Sequence, residues 1–95
     1  MINEDTDIVR SNHAVPPGLT LAEELEARGV TQKEFAVQCG RPVEDIGEII
    51  SGARAITAEI ALDFERALGV SAEFWLNHES RYRLTLARNK LKETA

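Results

Sequence analysis

Few side chains in this sequence have the type and spacing that covalent or metal chemistry needs. His13 and His78 stand alone, with no Cys or carboxylate cluster at ligand spacing, so no metal site is expected. Cys39 is the single cysteine, which excludes an intramolecular disulfide and is most simply a small core residue. Serines, threonines and carboxylates are plentiful, yet none pairs with a base in a nucleophile or acid–base pattern, and no glycine loop is built to cradle phosphate. Neither enzyme nor cofactor is expected. What the spacing does support is recognition. Ala36, Gly40 and Ile46 have the spacing of two short helices packed at a steep angle: a small residue for close approach, a glycine for the tight turn, and an apolar plug in the angle. Phe35, Val43 and Ile49 are expected around that plug. An ordinary helical hairpin shares some of these features, but together with the capping box described next they favour a DNA-reading helix-turn-helix over residues 31–52.

The elements that position this motif can be read from caps and stops. Apolar residues recur at helical spacing, and no alternating strand pattern occurs. Helix 1 is expected from about Thr20 to Arg28, with Thr20 and Glu23 as a capping box, Leu21 and Leu25 on one face, and Gly29 as its stop; Pro17-Gly18 could start it earlier. Thr31-Gln32-Lys33-Glu34 is a second capping box and opens helix 2, which stops at Gly40. Helix 3 follows Pro42, a residue favoured in the first helical turn, and stops at Gly52. Helix 4 runs from Thr57 to Gly69 with Ile60, Ala61, Phe64, Ala67 and Leu68 inward. Helix 5 starts at Ser71 and can reach Lys92. The expected architecture is all-α, with five helices over residues 16–92, preceded by a polar, acidic tail over residues 1–15.

The formal charge of −5 is unevenly spread. Residues 1–80 hold 6 Lys/Arg against 15 Asp/Glu, whereas residues 81–95 hold 5 basic residues against Glu93. An acidic body discourages non-specific nucleic-acid binding and suits a basic protein partner. The first ten residues have neither the basic start nor the apolar stretch of a signal peptide, and no apolar run reaches membrane-spanning length, so a cytoplasmic location is expected.

Several strings together resemble one family. They are Pro17-Gly18; Glu24-Leu25 with Gly29-Val30-Thr31-Gln32; Gly52-Ala53-Arg54-Ala55-Ile56-Thr57; Ala67-Leu68-Gly69-Val70-Ser71; and Glu73-Phe74-Trp75-Leu76-Asn77 leading to Tyr82. The stretch from Pro17 to Arg88 is similar to the HigA/VapI-type antitoxins, a branch of the phage-repressor-like (Xre) helix-turn-helix proteins. The resemblance implies a homodimeric antitoxin of a type II toxin–antitoxin system that neutralises a basic, RelE-like ribonuclease toxin and represses its own operon by binding double-stranded operator DNA.

The resemblance also implies that helix 3 enters the major groove, with Val43, Glu44, Asp45, Gly47 and Glu48 facing base edges. None of these is basic. Glu44 can accept a hydrogen bond from cytosine N4, but carboxylates near phosphates oppose the counterion release that drives most DNA affinity. Gly47 either marks a close approach to a partner or simply weakens the helix. The candidates for phosphate contact are Gln32, Lys33, Arg41, Ser51 and Arg54. On helix 5, Phe74, His78, Tyr82 and Leu86 form one stripe, flanked by Trp75, and Leu76, Leu84 and Leu91 form another. One stripe suffices to seal the core, so Phe74, Trp75, Tyr82, Leu84 and Leu86 are the candidates for a dimer interface, a broad core face being the alternative. The basic residues Arg81, Arg83, Arg88, Lys90 and Lys92 fit a solvated face, a phosphate contact or ion pairs to an acidic neighbour. Two other functions share this fold: a repressor with no toxin, and an interaction module that has lost DNA binding.

Overall fold

The computed structural model describes residues 14–94, which form five helices: α1 (Pro17–Arg28), α2 (Gln32–Cys39), α3 (Val43–Ser51), α4 (Ala58–Leu68) and α5 (Ala72–Thr94). The expected tail over residues 1–15 lies outside the described residues except for Ala14 and Val15, and so does His13. Among the described residues no helix is long and apolar enough to cross a membrane.

Local chemistry explains most helix boundaries. The Thr31 side chain accepts from the Glu34 amide at 3.1 Å while the Glu34 carboxylate accepts from the Thr31 amide at 2.9 Å, a reciprocal capping box that opens α2. Thr57 caps α4 by accepting from the Ile60 amide. The expected box at Thr20 and Glu23 does not form, because α1 begins at Pro17, one turn earlier, with Pro16 at its N-cap. Thr20 therefore lies inside the helix, and its hydroxyl is 2.7 Å from His78 Nε2 on α5. Likewise Pro42 is the N-cap of α3 rather than a residue of its first turn.

The apolar faces converge on one core. Leu21 and Leu25 of α1, Phe35, Ala36 and Cys39 of α2, Ile46 and Ile49 of α3, Ile60, Ala61, Phe64 and Leu68 of α4, and Ala72 and Trp75 of α5 are all buried. An aromatic row runs through it. Phe35 and Phe64 lie 5.2 Å apart between ring centroids, Phe64 and Trp75 meet edge to face at 5.3 Å, and Trp75 meets Phe74 in the same way at 5.1 Å. Gly18 supplies the closest approach of two backbones. A Cβ built there would lie 2.0 Å from the Ile49 carbonyl oxygen, so only glycine lets the start of α1 rest against the end of α3.

Polar ties fasten the helix ends. Arg28 donates to the Leu68 carbonyl at the end of α4 (2.8 Å), and Arg66 donates to the Cys39 carbonyl at the end of α2 (3.2 Å). Each places a cation where helix carbonyls run out of partners. Asp63 on α4 accepts from Arg66 at 3.0 Å and from Arg41, in the α2–α3 turn, at 2.6 Å. Burial pushes the Asp63 carboxyl upward, but the two arginine hydrogen bonds outweigh it and hold the group below its ordinary value. Burial also raises the Cys39 thiol to about 11. The acidic neighbour Asp63 adds to that rise, and the nearby arginines only partly oppose it.

Candidate nucleic-acid interface

The α2–turn–α3 unit is built on the three residues with the helix-turn-helix spacing. Ala36 is buried and lets α3 approach, Gly40 adopts the left-handed conformation (φ 70°) required by the turn, and Ile46 is fully buried in the angle. Phe35 and Ile49 pack around it as expected. Val43 does not; it is 36 % exposed at the start of α3. Its register places it beside the outer face, because the inward positions are taken by Ile46 and Ile49.

That outer face carries Val43, Glu44, Gly47, Glu48 and Ser51, all at least partly open to solvent. Three carboxylates lie within α3, at Glu44, Asp45 and Glu48. Pro42 gives the helix no side-chain cap, so its first turn is left without the reciprocal bonds that close α2. On one flank Gln32 of α2 approaches, its Oε1 3.8 Å from where a Gly47 Cβ would be. Lys33 is exposed beside it. On the other flank lie the two arginines. Arg41 contacts Asp45 only at 3.9 Å and spends its Nε on Asp63. Arg54 pairs with Glu48 at 2.7 Å and with Asp45 at 3.3 Å. Ser51 turns its hydroxyl onto the Glu48 carbonyl at 3.0 Å. The structure thus gathers Arg41, Arg54, Asp45 and Glu48 along one side of α3, with Gln32 and Lys33 along the other.

The connection from α3 to α4 is held by a residue that the sequence reading missed. Glu79 of α5 is buried, and it accepts from the Ile56 amide at 3.1 Å while forming an ion pair with Arg83. Nothing local marks it, since Ile56 is 23 residues away in the chain. Backbone bonds from the Ala53 and Arg54 amides to the Glu48 carbonyl complete the anchoring. The backbone that carries Arg54 is therefore fixed at both ends.

The α5 candidates separate. Phe74, Leu84 and Leu86 are exposed by 40, 48 and 39 %. Tyr82 is half-buried, its hydroxyl 3.6 Å from a Cβ built at Gly52, and the Arg83 guanidinium lies over its ring. Trp75 is a correction: at 1 % exposure it is wedged between Phe64 and Phe74 and cannot touch a second chain. The seal of the core on α5 is made by Ala72 and Trp75, not by the Phe74 stripe.

Comparison with known proteins agrees with this geometry. The helix-turn-helix family model matches residues 21–75. Antitoxin HigA-1 of Vibrio cholerae is 36 % identical over 73 residues, covering 77 % of this chain and 69 % of that protein. A solved addiction-module antidote protein of the HigA family from Coxiella burnetii superposes with a TM-score of 0.80 at 32 % identity, covering 86 % of this chain and 90 % of that one. The Pseudomonas aeruginosa antitoxin HigA, solved with the higBA promoter, superposes with a TM-score of 0.80 at 25 % identity, over 86 % of this chain and 90 % of that one.

Proposed function

The chain belongs to the helix-turn-helix family, in its HigA/VapI-type antitoxin branch, and from that premise we propose that it neutralises a basic, RelE-like ribonuclease toxin and represses its own operon. The observation that carries the DNA half of this reading is the open outer face of α3, flanked by Gln32 and Lys33 on one side and Arg41 and Arg54 on the other. In this assignment α3 lies in the major groove. Val43, Glu44 and Gly47 face base edges, and Gln32, Lys33, Arg41, Ser51 and Arg54 face phosphates. The Pseudomonas aeruginosa antitoxin HigA, which shares this fold, was solved with the higBA promoter, and that supports DNA binding by this chain.

The toxin half rests on charge. Residues 1–80 carry 15 acidic against 6 basic side chains, the balance that suits a partner whose own substrate is RNA. Two copies pair through α5, where the exposed Phe74 and Leu86 share a stripe with half-buried Tyr82 and the exposed Leu84 lies on a second stripe, and this pairing sets two α3 helices on a palindromic operator. The test is to look for a small basic protein encoded next to this gene and to co-express the two, absence of such a frame favouring a repressor with no toxin. The pair is expected to co-purify, and this chain to restore growth to cells making the other. A chain that does neither contradicts the toxin half. A second reading, an interaction module without DNA binding, is favoured by Glu44, Asp45 and Glu48 on the groove-facing helix. A gel shift with the gene's own promoter separates the two.

A further inference from the structure

Two arginines reach the first turns of α3, and they are held differently. Arg41 is 23 % exposed and locked by its Nε to Asp63 of α4 at 2.6 Å. Arg54 is 42 % exposed, and among the described residues its side chain pairs with the α3 carboxylates: Nε lies 2.8 Å and Nη2 2.7 Å from Glu48 Oε1, and Nη2 lies 3.3 Å from Asp45 Oδ1. The backbone beneath it is pinned, with the Ala53 and Arg54 amides on the Glu48 carbonyl and the Ile56 amide on Glu79. Only the side chain is left to move. It lies along the flank of α3, where a helix seated in the major groove meets a phosphate ridge.

Resting on the operator reading above, we infer that Glu48 and Asp45 occupy Arg54 as stand-ins for phosphate, and that they set the DNA affinity of this protein. Binding then exchanges one anion for another at Arg54. The guanidinium leaves two carboxylates to take up a phosphate, and those carboxylates stay beside the DNA as uncompensated negative charge. An arginine already neutralised within the protein adds little to the net charge that displaces counterions, so the salt dependence is shallower than the count of basic residues implies. Because the Glu48 pair is exposed and the Asp45 pair is longer and half-buried, neither holds Arg54 strongly, and the exchange is permitted but yields little gain. The pairs also hold the guanidinium close to the place it would occupy on DNA. They weaken the contact without disordering it.

The experiment is a fluorescence-anisotropy titration of a labelled duplex from the gene's own promoter, and of a scrambled duplex of equal length, across a salt series. Asp45→Asn/Glu48→Gln is compared with wild type, each with and without Arg54→Ala, and Glu59→Gln, at an exposed carboxylate in the first turn of α4, serves as a charge control. Circular dichroism and the fluorescence of buried Trp75 check that each variant is folded. The double variant is expected to bind promoter DNA about five- to tenfold tighter, with a salt slope steeper by about 0.9. Most of that gain should disappear when Arg54→Ala is added, whereas the smaller gain from Glu59→Gln should persist. A folded double variant that binds no tighter than wild type overturns the inference, as does a gain that survives Arg54→Ala undiminished. If neither wild type nor the double variant prefers the promoter duplex, the operator reading itself fails and the inference falls with it.

Discussion

The two faces of α3 follow different rules. Its inner face, Ile46 and Ile49, is fully buried against α1 and α2, and its backbone touches the start of α1 so closely that Gly18 is required there. Its outer face holds Glu44, Gly47, Glu48 and Ser51, none of them buried, with Ser51 bonded to the Glu48 carbonyl and Glu48 paired with Arg54. One helix thus couples a face that fixes where it sits to a face that is free to vary. Substitutions on the first should cost stability, and substitutions on the second should alter binding.

The largest effect that would sharpen this contrast is Ile46→Ala. Emptying a fully buried position in the helix angle should cost about 2–5 kcal/mol in urea denaturation. A loss near zero would mean the angle between α2 and α3 does not depend on its plug. Gly18→Ala comes next. Its Cβ would meet backbone rather than a movable side chain, so α1 must shift, at a cost of about 1–3 kcal/mol by the same assay.

Asp63→Asn should remove about 1–2 kcal/mol at neutral pH, because it unties Arg41 and Arg66 together. The sign with pH follows from its lowered pKa. Ionised Asp63 stabilises the fold above the ordinary value of 3.8, and that contribution is lost as pH falls through the lower folded value. The wild type should therefore lose stability in acid below about pH 4 more steeply than Asp63→Asn does. Parallel acid limbs in the two proteins would show that Asp63 carries no such linkage.

On the outer face the expected changes are smaller, and one reverses sign. Gly47→Ala should stabilise the protein by about 1 kcal/mol, since it improves helix propensity and its Cβ meets nothing closer than Gln32 Oε1 at 3.8 Å. A loss of stability there would show that the outer face is packed after all. Arg54→Ala should change stability by less than about 1 kcal/mol, as expected for a surface ion pair.

The inner face was legible in the sequence because its signals are local or evenly spaced. The capping box at Thr31 and Glu34, the turn at Gly40 and the plug at Ile46 lie within sixteen residues of one another. α1 starts at Pro17, the earlier of the two starts the sequence allows, and not at the Thr20 box, because the reason for Gly18 is a backbone 31 residues away at Ile49, which no local pattern records. Glu79 escaped notice for the same reason, its role depending on the Ile56 amide. Trp75 was misassigned because helical spacing shows which side chains share a stripe, but not which side of a broad apolar helix meets the core. Arg54 was identified as a basic candidate, but its engagement by Glu48 and Asp45 depends on how the loop after α3 folds back.

The most direct test of the central claim, that this fold presents α3 to its own operator, is a titration of the promoter duplex against the scrambled duplex at moderate salt. Saturable binding to the promoter at least about tenfold tighter than to the scrambled duplex, weakening as salt rises, is the predicted result. Equal binding to both duplexes, or none to either, by a protein that is folded would contradict it.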